Sequence, residues 1–129
     1  MQKENHLGTD TAILPISVIA SALNVHQRTL RIYDTEGILI PKRSNKNRRN
    51  YCIDDIEKGK VILFLTRNLA LNLSGVKIIL SMLEKNNVKP ANYMNYIQEI
   101  AKNAGIDVTV QNSNVEKTSK RGRKPKALK

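Results

Sequence analysis

The feature that most restricts the fold is a pair of short amphipathic segments separated by only three residues. In the first segment, apolar side chains recur at the spacing of one helix face: Ile16, Ile19, Ala20 and Leu23. Asn24 interrupts the pattern, and Asn tolerates the left-handed backbone of a tight turn. The second segment, residues 27–36, ends before Gly37. Two short helices joined by such a turn predict a helix-turn-helix unit.

The second helix is predicted to have one buried and one exposed side. Leu30 and Tyr33, three residues apart, are expected to face the core. The opposite side carries three side chains that can donate hydrogen bonds: Gln27, Arg28 and Arg31. Ser17 is predicted to be the N-cap of the first helix, because its hydroxyl can accept from a free backbone N–H.

A polar, basic loop between two apolar segments follows the helix pair. Residues 38–41 and 51–53 are the apolar segments, and this pattern predicts a small β-hairpin, or wing. The wing is expected to carry five basic residues and no acidic one: Lys42, Arg43, Lys46, Arg48 and Arg49.

Three more helices are predicted downstream. In residues 54–68, Asp54 and Glu57 have capping-box spacing, and Gly59 indicates close packing inside the helix. The next helix begins at Asn72 or Ser74 and has one apolar face: Val76, Ile79, Leu80 and Leu83. The last helix, over residues 91–104, is predicted to align four side chains: Tyr93, Ile97, Ile100 and Ala104.

The charge balance restricts the class of partner. The net charge is +11 over 129 residues, which indicates either nucleic acid or an anionic membrane surface. No stretch reaches the roughly 18 apolar residues of a membrane span, and the N-terminus lacks a secretory signal pattern. A cytoplasmic protein is therefore expected, and the single cysteine, Cys52, fits a reducing compartment.

The exposed side of the second helix and the wing suggest DNA binding. Arg can donate two hydrogen bonds to guanine, and Gln27 can pair with adenine, whereas the alternative for Arg28 and Arg31 is a solvated basic face. The wing charges suit phosphate contacts. Tyr51 is expected to donate to a phosphate, the alternative being that Tyr51 belongs to the core.

The chain resembles the N-terminal domain of MerR-type transcriptional regulators over residues 14–84. The matching segments are ISVIA at 16–20, TLRIYD at 29–34, GIL at 37–39, Pro41, RNY at 49–51, DDI at 54–56 and LNLSGVKIIL at 71–80. His26 and the last segment are most similar to the HspR branch, which represses chaperone genes. Two positions differ from the family: Asn47 replaces a usual Gly in the wing, and Cys52 replaces a usual Ser or Thr.

The resemblance implies roles for individual residues and partners. It places Arg31 at the DNA and assigns phosphate or base-proximal contacts to Tyr33, Arg49 and Tyr51. It also implies a homodimer through the C-terminal helix, here with Tyr93, Ile97 and Ile100, and a DnaK-like chaperone as co-repressor. The alternative for that helix is that it closes its own domain. The predicted DNA contacts within the folded domain are Ser17, Gln27, Arg28, Arg31, Tyr33, Lys42, Arg43, Lys46, Arg48, Arg49 and Tyr51.

The end of the chain is a second basic element. Lys120, Arg121, Arg123 and Lys124 resemble an AT-hook, but Lys124 interrupts its Arg-Gly-Arg-Pro core. The two interpretations are a minor-groove hook and a disordered cationic tail that attracts any DNA, and the second is preferred.

The prediction is a mainly α-helical winged helix-turn-helix protein with a β-hairpin wing, further C-terminal helices and a disordered basic tail. Its segments are a flexible arm (1–12), the DNA-binding domain (13–84), a helical dimerisation segment (85–105) and the tail (106–129). The predicted function is a dimeric repressor of stress or chaperone genes that binds an inverted repeat. The alternative is an architectural protein or an excisionase-like recombination factor. No enzyme activity, cofactor or metal site is predicted, since the cysteine is single and no catalytic pair is evident.

Overall fold

The computed structural model describes residues 8–108. Over these residues the elements follow in the order β1 (Leu14–Pro15), α1 (Ile16–Leu23), α2 (Gln27–Thr35), β2 (Lys42–Arg43), β3 (Arg49–Tyr51), α3 (Ile53–Leu63), α4 (Leu73–Lys85) and α5 (Tyr93–Asn103). A π-helical turn, Phe64–Asn68, extends α3, and a 3-10 turn, Pro90–Asn92, precedes α5. The predicted mainly helical, winged helix-turn-helix fold is confirmed.

The three strands form one small antiparallel sheet with β3 in the middle. The predicted hairpin consists of β2 and β3, with Arg43 opposite Arg49. On its other side β3 pairs with β1, where Leu14 lies opposite Tyr51. No sequence pattern predicts β1, which joins the start of α1 directly to the wing.

The turn between α1 and α2 has the predicted chemistry. Asn24 adopts a left-handed backbone with φ of 58°, and Gly37 after α2 has φ of 74°. The predicted cap of α1 is wrong, because Pro15 occupies the N-cap position and Ser17 is an exposed residue inside the helix. The reason is that β1 continues without a loop into α1, so the helix begins before Ser17.

The core forms where the helix pair meets the sheet and α3. Ile19 from α1, Leu30 from α2 and Tyr51 from β3 are completely buried there. Val61 and Ile62 of α3 are completely buried as well, and Val76 and Leu83 carry α4 into the same cluster. The predicted inward faces of α1, α2 and α4 are therefore confirmed.

The N-terminus of α3 is closed by Cys52 and Asp55. The Cys52 backbone N–H donates to Asp55 Oδ2 at 2.9 Å, and the Cys52 thiol lies 3.3 Å from the same oxygen. Burial raises the pKa of the Cys52 thiol above its ordinary value, and the Asp55 carboxylate adds to the rise. The thiol therefore stays protonated at neutral pH. Asp55 takes the capping position predicted for Glu57, because the N-cap is Cys52, two residues before Asp54.

Gly59 of α3 lies directly against Leu23 of α1. A methyl group on Gly59 would overlap a δ-methyl of Leu23 and would lie 3.3 Å from Leu23 Cγ. Both residues are buried, so the neighbouring side chains leave little room for adjustment. This confirms the close packing that a glycine inside a helix suggested.

Replacing Gly59 with alanine is expected to lower the free energy of unfolding by up to about 2 kcal/mol, measured by urea denaturation. Overpacking costs about 1–3 kcal/mol, whereas the better helix propensity of alanine returns about 1 kcal/mol. In a Leu23→Ala background the same change is expected to stabilise, because the overlapping methyl is gone. Stabilisation by Gly59→Ala in both backgrounds would contradict this packing.

The last helix differs from its predicted orientation. Tyr93, Ile97 and Ala101 form its buried face, whereas Ile100 is 51% exposed and Ala104 is exposed. The buried residues repeat at every fourth position, and this face packs on α3 and on the core of the same chain. Of the three residues predicted for dimerisation, two therefore close their own domain, and Ile100 alone is on the surface.

Candidate nucleic-acid interface

Positive charge is concentrated in the first half of the described structure. Residues 14–51, which form the helix pair and the wing, contain seven Lys or Arg and two acidic residues. Residues 52–108 contain seven basic and six acidic residues. Within residues 8–108, the excess positive charge that favours a polyanionic partner therefore belongs to the helix pair and the wing.

The exposed side of α2 carries the candidate base-reading residues. Arg28 and Arg31 are exposed, whereas Leu30 and Tyr33 attach the opposite side of the helix to the core. The Arg31 guanidinium donates to Gln27 Oε1 at 3.1 Å, which directs it toward the N-terminal end of the helix. The first turn of α2 has no acidic residue, so its N-terminal partial charge is free to favour an anion.

The wing turn is closed by backbone and hydroxyl hydrogen bonds. The Asn47 N–H donates to the Ser44 carbonyl at 2.8 Å, and the Ser44 N–H donates to the Arg48 carbonyl at 2.9 Å. Asn47 has φ of 62°, the left-handed conformation that usually requires glycine in a three-residue hairpin loop. Asn47 therefore supplies the left-handed position of this loop, and the neighbouring Lys46 and Arg48 are exposed to solvent.

The wing is attached to α2 through one carboxylate. Asp34, in the last turn of α2, accepts from Arg49 Nε at 2.9 Å and from an Arg43 Nη at 3.3 Å. The other Arg43 Nη donates to the Asn47 carbonyl at 3.2 Å. The helix and the wing therefore form one surface, and the ion pairs hold the wing in a defined orientation relative to α2.

Both tyrosines that were expected to contact DNA are buried. Tyr51 is completely buried, and within residues 8–108 its hydroxyl has no hydrogen-bond partner. Tyr33 is 6% exposed. Burial raises the pKa of both tyrosines, and the positive charge of Arg67 opposes the rise at Tyr33. In this conformation the Tyr51 hydroxyl cannot touch a phosphate. Its burial supports the alternative interpretation, in which Tyr51 belongs to the core.

The remaining predicted contacts fall into two groups. Ser17, Lys42, Lys46 and Arg48 are exposed, at the start of α1 and along the wing. The basic residues near the end of the chain lie outside the described residues, and their role stays a prediction: Lys120, Arg121, Arg123 and Lys124.

Sequence patterns gave no role to two charged residues that influence the predicted contacts. Asp34 was given no role, although it is one of only two acidic residues among seven basic ones in residues 14–51. Arg67 lies in the π-helical turn, exposed, and close enough to Tyr33 to affect its pKa. No local pattern could have placed Arg67 there, because Tyr33 precedes it by 34 residues.

Neither a metal-binding cluster nor a membrane-spanning helix occurs in the part of the chain that the structure describes. Across residues 8–108, no three His, Cys, Asp or Glu side chains are grouped so that they could hold a metal ion. Over the same residues, every helix is too short or too polar to cross a bilayer.

Comparisons with known proteins agree with this surface. The family model described as "MerR HTH family regulatory protein" matches residues 14–83, which is more than half of the chain. A Streptomyces coelicolor protein named "Putative heat shock protein HspR" is 36% identical over 76 residues, 59% of this chain and 50% of that protein. "HTH-type transcriptional regulator GlnR" of Bacillus anthracis is 29% identical over 72 residues, 56% of this chain and 55% of that protein. The chain thus spans about half the length of the curated relatives it matches.

Proposed function

Because the chain belongs to the MerR HTH family of regulatory proteins, we propose that it is a cytoplasmic repressor that binds an inverted repeat in double-stranded DNA as a homodimer. Stress or chaperone genes are its proposed targets. The observation that carries the proposal is the single surface on which the exposed arginines of α2 lie beside a wing with five basic residues.

The two parts of this surface have different proposed tasks. The N-terminal half of a recognition helix reaches base edges in the major groove, which suits Arg28 and Arg31. The wing meets the backbone, because phosphate contacts need compact positive charge and supply most of the affinity that does not depend on sequence. Lys46 and Arg48, at the exposed end of the hairpin, are the proposed phosphate contacts.

The homodimer is supported by the apolar surface of α5. Tyr96 and Ile100, one helical turn apart, are 41% and 51% exposed. Side chains four residues apart lie on the same side of a helix, so they form a continuous apolar strip that a second copy would cover. A two-fold dimer matches an inverted repeat, because each subunit then meets an equivalent half-site.

The proposed target class is supported by similarity. One relative, 36% identical to this chain over 76 residues, is named as a putative heat shock protein. A DnaK-like chaperone as co-repressor is part of the same proposal. Its test is whether the purified chaperone changes the affinity of the chain for its own promoter fragment.

A genome-wide map of DNA bound by the chain in its native host tests the proposal. We expect a small number of peaks at promoters, with a shared inverted repeat, and increased transcription of the adjacent genes when the chain is deleted. Reduced transcription of these genes after deletion would indicate that the chain is an activator and not a repressor. Broad coverage of the genome, or one peak at an attachment site, would favour the architectural or excisionase-like alternative.

A further inference from the structure

We infer that Asp34 is a positioning residue that sets DNA specificity, because its carboxylate holds two wing arginines against the end of the recognition helix. The inference rests on the proposed function, since it concerns the same DNA-binding surface. It goes further by giving an acidic residue a role in discriminating between the correct site and other DNA.

One carboxylate oxygen is shared by two cross-strand neighbours. Arg43 and Arg49 lie opposite each other in the β2–β3 register, and both donate to Asp34 Oδ2, at 3.3 and 2.9 Å. The side chain of Asp34 is 15% exposed and that of Arg49 is 24% exposed. Hydrogen bonds between ions are stronger than neutral ones, and partial burial reduces their screening by solvent.

The wing therefore contains two kinds of cation. Arg43 and Arg49 are held by Asp34, and Arg43 is also fixed by the Asn47 carbonyl. The other basic side chains of the wing have no ion-pair partner within residues 8–108: Lys42, Lys46 and Arg48. Only this second group can turn toward any nearby phosphate without losing a contact inside the protein.

Two opposing consequences follow for DNA binding. A phosphate that approaches Arg43 or Arg49 competes with Asp34 for the same N–H groups, and the carboxylate repels it, so binding to arbitrary DNA is weakened. At the correct site the same ion pairs keep the wing at a defined position relative to α2, so base and phosphate contacts form together. Asp34 thus lowers affinity for random DNA and raises the ratio between the correct site and random DNA.

The test is the full chain with Asp34→Asn, measured against a random-sequence duplex and against the duplex that the wild-type chain selects in vitro. Affinity for the random duplex is expected to rise about threefold to tenfold, with a salt slope steeper by up to roughly one unit. The ratio of the two affinities is expected to fall at least about threefold. If Asp34→Asn only disturbed the fold, the affinities for both duplexes would fall. A rise in affinity for the random duplex therefore distinguishes the inference from a structural effect.

Glu36→Gln is the matched control. It removes the same charge two residues further along, from an exposed side chain that does not contact the wing arginines. Glu36→Gln is expected to raise the affinity for the random duplex less than Asp34→Asn does. It should leave the ratio of the affinities for the selected and random duplexes unchanged. Equal effects of the two variants would reduce the result to net charge and would overturn the inference.

A second variant and a second readout address the contact itself. Asp34→Glu keeps the negative charge but moves it by one methylene group. The affinity of this variant for the random duplex is expected to stay at the wild-type level. In the free protein, hydrogen exchange at the Arg49 Nε–H is expected to be slow in wild type and faster in Asp34→Asn, and unchanged exchange would overturn the contact. If the wild-type chain bound all duplexes equally well, the proposed function would fail. If the wild-type chain preferred its selected duplex and Asp34→Asn kept that preference unchanged, only the inference about Asp34 would be overturned.

Discussion

Replacing Arg31 with alanine is expected to reduce discrimination between the selected site and single-base variants by about 5-fold to 150-fold at one position of each half-site. The expectation corresponds to about 1–3 kcal/mol for a well-placed Arg on a base edge. Arg31 is exposed on α2, and its hydrogen bond to Gln27 directs it to the N-terminal half of the helix. The measurement is competition binding with duplexes in which every base pair is changed in turn.

Arg48→Ala is the matched control for this prediction. Arg48 is an exposed wing residue, and unlike Arg49 it does not help to hold the wing on α2. Its loss is expected to weaken binding to all duplexes alike and to reduce the salt slope by about one unit. Uniform loss in both variants would mean that Arg31 contacts the backbone and that another residue reads the bases. Thermal unfolding should be unchanged in both, since neither side chain is in the core.

Replacing Ile97 with aspartate is expected to destabilise the domain by more than about 3 kcal/mol, a large part of the typical 5–15 kcal/mol. Ile97 is 8% exposed and packs in the core of its own chain. The change removes buried apolar atoms, which costs about 2–5 kcal/mol for the equivalent alanine variant, and it also introduces a charge without a partner. Urea denaturation measures the loss.

Ile100→Asp separates folding from dimerisation. Ile100 is half exposed at the edge of the buried face of the same helix, so its replacement is expected to change stability by less than about 0.5 kcal/mol. If the strip formed with Tyr96 is the dimer interface, sedimentation should show a folded monomer that binds half-sites weakly. A stable dimer of Ile100→Asp would place the interface elsewhere. A folded, monomeric Ile97→Asp variant would contradict the packing of α5 on its own core.

The distribution of apolar residues on α5 explains why its orientation was predicted incorrectly. Its sequence has one broad apolar face, with Tyr93, Ile97 and Ala101 along the middle and Tyr96 and Ile100 along one edge. Helical periodicity identifies such a face, but it does not determine which part of it meets the core. The position of α3 decides this, because α5 packs on α3.

The sequence by itself determined the helix pair, the wing and the family to which they belong. These features depend on neighbouring residues: apolar spacing defines α1 and α2, and Asn24 and Gly37 allow the backbone that ends them. The same holds for the exposed side of α2, because a helix with Leu30 and Tyr33 in the core must present Arg28 and Arg31 to solvent.

Only the tertiary structure decided which polar groups are paired and which are buried. Asp34 meets Arg49 across 15 residues of chain. Tyr51 is completely buried on β3, which pairs with β1, a strand that no pattern predicted. Such contacts join residues that are distant in sequence, and their energies depend on burial and on the distance between charges. Residue types specify which pairs can form, whereas packing selects the pairs that do form. For this reason the candidate DNA surface was predictable from sequence, but the ion pairs that hold its wing on the recognition helix were not.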